Sequence, residues 1–236
     1  MFQARNLTKR YGRLTALSDV SFSVRPGEVL GLIGPNGSGK TTLFECLGGV
    51  LPLDAGSLVR DGQPMTARDR ASILFYLPDA IVPWPAQPVR WAIDFTLGFF
   101  HGRASLRDEV VRRLDITPLL ASTIGSLSKG QRKRVLLAIG LLMPQPVLLA
   151  DEPFDGLDLR QSRDVAAALR SYASAGLTMI LSIHQLTDAA RVCDRFVLLS
   201  GGSIRGEGTL DQLSSVAAAR GVAATGDLEE VFLALT

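Results

Sequence analysis

The chain has 236 residues, enough for one domain with a sizeable sub-domain and too few for two average domains. Hydrophobic residues make up 47% and charged residues 20%, which excludes a disordered tail, a collagen-like repeat and a charged linker. Lys+Arg 25 against Asp+Glu 23 leaves a net charge of +2, too balanced for a protein whose main work is coating nucleic acid.

Residues 1–33 read as strands. Val20 to Val24 alternates apolar and polar with period two, Arg25-Pro26-Gly27 is a turn, and Val29 to Ile33 is the apolar run of a buried strand. Glycine-rich residues 34–39 follow, then a helix over 41–50 with Leu43, Phe44 and Leu47 on one face. Ser57–Arg60 and Ile73–Leu77 are further strand candidates. Residues 78–88 hold four prolines and read as a connecting loop. Amphipathic stretches near 89–100, 106–114 and 129–143 predict a helical sub-domain. Pro146 to Ala150 is again a buried strand, ending in Asp151-Glu152. A helix (159–175), a strand (178–183), a helix (186–192) and a strand (196–199) complete an α/β pattern with a mostly parallel sheet.

The mean hydropathy is +0.22. The richest apolar stretch, Val135 to Ala150, is broken by Pro144-Gln145-Pro146 and is shorter than the ~20 residues of a spanning helix. Trp91 to Phe100 is short and carries Asp94. The chain is therefore expected not to cross a membrane by itself, and its N-terminus lacks the apolar core of a signal peptide. Cys46 and Cys193 form no CxxC pair, and two reduced thiols are expected.

Gly34-Pro35-Asn36-Gly37-Ser38-Gly39-Lys40-Thr41 matches G-x-x-x-x-G-K-[ST]. Glycines let successive N–H groups curl around an anion, and the following helix adds its positive end. Lys40 supplies a point charge for β and γ phosphates, and the Thr41 hydroxyl suits Mg²⁺. Thr42 continues the cradle. Asp151 and Glu152 arrive at the carboxyl edge of the sheet, where ligands sit in such folds. Asp151 suits Mg²⁺, and Glu152 suits orienting or deprotonating a water in line with the γ-phosphate. Ser128 is placed to cap the helix that opens at Lys129-Gly130-Gln131. Lys129, Arg132, Lys133 and Arg134 crowd its first turns against the helix dipole, an arrangement that would suit an external anion.

Together these residues resemble the nucleotide-binding subunit of an ATP-binding cassette (ABC) transporter, over roughly residues 2–215. Leu127 to Gln131 resembles the cassette signature, placed before Asp151 at the family's spacing. Asp155-Gly156-Leu157-Asp158 resembles the loop that touches the opposite subunit. His184 matches the switch histidine, and Tyr11 the aromatic that stacks on adenine. The resemblance implies a P-loop NTPase core (1–78 and 146–215), an N-terminal antiparallel β region, an inserted helical sub-domain (79–145) and a C-terminal extension (216–236). It implies head-to-tail dimers with a second copy or a paralogous cassette. Each ATP would lie between the phosphate loop of one chain and Ser128, Gly130, Gln131 and Asp158 of the other. Glu152 would be the general base, with His184 at the γ-phosphate and attacking water.

The implied partners are separately encoded membrane permease subunits, with no nucleic acid, and the implied location is the cytoplasmic face of the cell membrane. Two departures stand out. Tyr76-Leu77-Pro78-Asp79 replaces the usual glutamine, so Asp79 is the candidate metal ligand there. Lys129 stands where glycine is commoner. Asp227 to Thr236 resembles the ending of cassettes that serve small exporters. The alternatives are a soluble cassette ATPase without a transport role and an ATP-binding module with weak hydrolysis.

Overall fold

The computed structural model describes residues 1–219 and 227–236. The outer layer is an antiparallel sheet in the order β2-β1-β4-β5. It is formed by β1 (Phe2–Tyr11), β2 (Leu14–Val24), β4 (Ala55–Arg60) and β5 (Gln63–Pro64). The alternation of Val20, Phe22 and Val24 turns these side chains inward, where they are buried.

The inner sheet holds β3 (Val29–Ile33), β6 (Leu74–Leu77), β7 (Val147–Asp151), β8 (Thr178–Ser182), β9 (Arg195–Ser200) and β10 (Ser203–Gly208). Its order is β10-β9-β3-β8-β7-β6, parallel except for β10. Every residue of β3, β7 and β8 is buried, as expected for strands covered on both faces.

Two apolar clusters divide the interior. One lies between the sheets and around α1 (Lys40–Gly48), with Phe44 and Leu47 at its centre. The other joins the inner sheet to α3 (Val89–Phe100), α4 (Arg107–Arg113), α5 (Lys129–Leu142) and α6 (Leu159–Ser174). α3, α4 and α5 enter the chain between β6 and β7, so the helical block is an insertion between adjacent strands. α7 (Leu186–Val192), α8 (Leu210–Ala219) and α9 (Leu228–Leu235) add their buried apolar side chains to this second cluster.

Several elements fall outside the sequence reading. Residues 67–73 form α2 (Ala67–Ile73), started by a Thr66–Asp69 capping box, so the strand after it begins at Leu74. β10 and α8 were not read either. The segment 220–226 of the expected C-terminal extension lies outside the described residues. Cys46 and Cys193 are both free, and burial pushes the Cys46 thiol up to about 11.

Candidate nucleotide site

β3 delivers the chain into the loop 34–39, and α1 follows at once. Glycine is obligatory at two places. A Cβ on Gly34 would stand 2.2 Å from the Leu199 carbonyl oxygen, and Gly39 has φ +106 with the Ala16 carbonyl oxygen 2.7 Å from a Cβ. α5 and α6 each begin with a complete capping box. α1 begins at Gly39 with no side-chain cap, so its first N–H groups stay open to an incoming anion. Ser38 Oγ is buried and makes no hydrogen bond. Lys40 Nζ donates to the carbonyl oxygens of Gly34 at 2.7 Å and Pro35 at 3.3 Å. Burial holds the Lys40 ammonium below the usual lysine range, against the pull of Glu152 and Asp151. An orphaned hydroxyl, open amides and a desolvated cation together form a cradle that phosphate oxygens complete.

The opposite wall comes from strands far away in sequence. Thr41 Oγ1 donates to Asp151 Oδ2 at 3.1 Å, and Ser182 Oγ donates to Asp151 Oδ1. Glu152 sits just beyond β7 with φ +50, a left-handed backbone that costs a non-glycine residue about 1–3 kcal/mol. Its N–H donates to Ser182 O at 3.2 Å and Ser182 Oγ at 3.1 Å. His184 Nδ1 lies 2.5 Å from Glu152 Oε2. Thus the proposed base already touches the proposed switch histidine. Glu152 is partly covered and His184 is open to the cavity.

A cavity of about 830 Å³ gathers most of the expected residues: Tyr11, Asn36, Gly37, Gly39, Lys40, Thr41, Thr42, Asp79, Asp151, Glu152 and His184. Asp155 also lines it, as do Leu14, Thr15 and Ala16 at the start of β2 and Gly201 and Gly202 in the turn after β9, which were missed because they reach it only through tertiary packing. Tyr11 is exposed at the rim, with Lys9 Nζ 5.7 Å from its ring centroid. Ser128, Gly130, Gln131 and Asp158 lie outside this cavity. Ser128 and Gln131 cap α5 reciprocally, and Asp158 caps α6. Gly130 packs on Gly156, where a Cβ would meet the carbonyl oxygen at 2.4 Å.

The crowd of cations at the start of α5 needs correcting. Lys133 and Arg134 are buried and are used internally, Lys133 by Asp79 and Arg134 by Asp115 and the Leu114 carbonyl oxygen. Lys129 pairs with Asp155, which raises the lysine and lowers the acid from their usual ranges. Only Arg132 makes no such contact among the described residues.

Replacing Lys40 with methionine is expected to weaken nucleoside triphosphate binding by about 2–5 kcal/mol, the loss for one partner of a desolvated charge pair. Titration with a fluorescent ATP analogue reads it.

The pattern of a family described as ABC transporter matches residues 17–155. The chain is 38% identical to the hemin import ATP-binding protein HmuV of Pseudomonas fluorescens, over 86% of this chain and 84% of that one. It is 32% identical to the lipopolysaccharide export system ATP-binding protein LptB of Escherichia coli, over 87% and 89%. A solved ATP-binding subunit of an ABC transporter superposes with a TM-score of 0.87 at 25% identity, covering 100% of this chain and 99% of that one. With the phosphate cradle and the acidic strand end in one cavity, these likenesses establish that the chain belongs to the ABC transporter family, as one of its ATP-hydrolysing, ATP-binding subunits.

Proposed function

We propose that this subunit works as a head-to-tail cassette dimer, with a second copy or a paralogue, and drives separately encoded membrane permease subunits from the cytoplasmic face. The carrying observation is the division of the site. Lys40, Thr41, Asp151, Glu152 and His184 share one cavity, while Ser128, Gly130 and Gln131 lie outside it. A second chain approaching that cavity would bring its own copy of the signature segment.

In this reading Glu152 Oε2 accepts the proton of the attacking water, and His184 holds the carboxylate in place and meets the γ-phosphate. Tyr11 stacks on the base. Among the described residues no cluster of three or more His, Cys, Asp or Glu could hold a metal by itself. Mg²⁺ is commonly held by one or two carboxylates together with substrate phosphates and waters. Thr41, Asp151 and Asp79 would hold it, Asp79 through the oxygen that Lys133 leaves open. The ion would neutralise charge developing on the β and γ phosphates. Lys133 offsets the added charge of Asp79, which favours turnover over an ATP-binding module with weak hydrolysis.

A membrane partner is supported by the surface of α3. Val89, Ala92, Ile93, Thr96 and Leu97 face the core. Trp91, Phe95 and Phe99 form an exposed stripe on the other side, continued by Trp84 and Phe100. Trp91 and Phe95 stack at 4.8 Å, and Trp84 lies edge-on to both. A run of exposed aromatics of this kind marks an interaction surface. It also adjoins the loop that carries Asp79 to the cavity. No helix of the described residues is long and apolar enough to cross a membrane. The relatives' names cover both import and export. Export rests on the C-terminal helix alone.

Native-membrane extraction with an N-terminal tag tests this reading. A polytopic membrane protein in fixed ratio is the expected result, and a purely soluble or nucleic-acid-bound complex would overturn it. Trp91→Ser combined with Phe95→Ser is expected to abolish that capture while ATP hydrolysis by the isolated chain stays within about twofold, as for a surface change remote from the chemistry.

A further inference from the structure

α5 reaches the nucleotide cavity through two lysines one helical turn apart. Lys129 pairs with Asp155 in the loop after β7, and Lys133 Nζ lies 2.7 Å from Asp79 Oδ1 in the loop after β6. The second contact goes deeper. Lys133 is 5% exposed, and its ammonium also donates to the backbone oxygens of Asp151 at 3.2 Å and Asp79 at 3.4 Å. All three of its protons have acceptors.

The Asp151 carbonyl belongs to the peptide that carries Glu152. The N–H at the other end of that peptide donates to the backbone and side-chain oxygens of Ser182. The peptide is therefore gripped from both sides, by a cation on α5 and by the end of β8. Glu152 needs that grip, because its φ of +50 is a conformation that a free glutamate leaves for the extended region. A rotation of this peptide would carry the carboxylate away from His184 and from the cavity.

We propose that Lys133 is a positioning residue for ATP hydrolysis: its ammonium locks the Asp151–Glu152 peptide, and thereby the Glu152 carboxylate, while Asp79 holds the ammonium in place. This rests on the reading of Glu152 as the base. Asp79 thereby has a task separate from metal binding, and the signature helix is wired to the acid end of β7 within its own chain.

The test uses the purified full-length chain with Mg²⁺ and ATP. Lys133→Met keeps the length of the stem and removes the charge. It is expected to lower kcat about ten- to a hundredfold, the scale for displacing a reacting group by about 1 Å. KM and the binding of a fluorescent ATP analogue are expected to stay within about twofold, because no contact to the nucleotide is lost. Lys133→Arg, which keeps charge and donors, is expected to recover most of kcat. In a Glu152→Gln background Lys133→Met is expected to lower the residual rate no further, since the group it positions no longer works as a base.

An unchanged kcat for Lys133→Met would overturn the proposal, as would a loss in the Glu152→Gln background equal to that in the parent. The double variant Asp79→Asn, Lys133→Met removes both charges together and covers the case in which the single variant does not fold. It is expected to share the loss of kcat, and a parental kcat there also overturns the proposal. A parental rate in Glu152→Gln alone would instead remove the base reading on which this one stands.

Discussion

Glu152→Gln is expected to reduce steady-state ATP hydrolysis by about 10²–10⁴-fold, the range contributed by a positioned general base. Glutamine preserves the shape of the side chain and a contact to His184, so the Lys40 cradle and the Thr41–Asp151 pair are untouched. ATP binding should therefore remain at its parental affinity. With binding intact and turnover blocked, ATP accumulates between two chains, and light scattering should report an ATP-dependent dimer. A parental rate would exclude Glu152 as the base.

The second large effect is expected at a residue that touches no part of the cavity. Gly130→Ala places a methyl group 2.4 Å from the Gly156 carbonyl oxygen, a separation that backbone cannot tolerate. Either α5 or the loop of residues 155–158 has to move. Hydrolysis should fall at least about a hundredfold, the scale for misplacing groups by about 1 Å. Nucleotide binding by the isolated chain should persist, because neither Gly130 nor Gly156 lines the cavity that holds Lys40. If binding and turnover fell together, the signature segment would belong to the same chain's pocket, and the head-to-tail arrangement would lose its main support. Comparing fluorescent-nucleotide titration with ATP turnover separates the two outcomes.

What could be read from sequence alone follows a physical line. The phosphate cradle was legible because its requirements are local: glycines at close backbone approaches, a lysine, a hydroxyl, then a helix. Asp151 and Glu152 were legible because a continuous apolar run ends on them. The Ser128 cap is likewise a short-range device, and the structure shows it with Gln131 as reciprocal partner. Ser182 was not legible. Its role depends on the register that sets it beside Asp151 across β7 and β8, which no local pattern encodes. Lys133 was read as a cation for an external anion, because sequence shows its charge but not the fold of the loop that brings Asp79 against it. α2 escaped notice because seven residues with one buried side chain carry almost no periodic signal.

The order of the inner sheet governs how the site comes into being. β3 and β7, which supply the cradle and the acids, are not neighbours, because β8 lies between them. The Thr41–Asp151–Ser182 contacts thus unite segments that emerge from the ribosome long after one another. A nascent chain that has made β3 and α1 owns the phosphate loop but neither acid. One that has reached β7 still lacks the strand that holds it in register. Parallel pairing over such sequence distances is slow, and it completes only when the last of the three strands docks. The ability to split ATP therefore appears at the end of folding rather than growing with it. Nucleotide binding, which stabilises only the finished state, shifts the docking equilibrium toward it by mass action. Chains should accordingly be held more fully in the finished state, and unfold more slowly from it, where ATP is abundant.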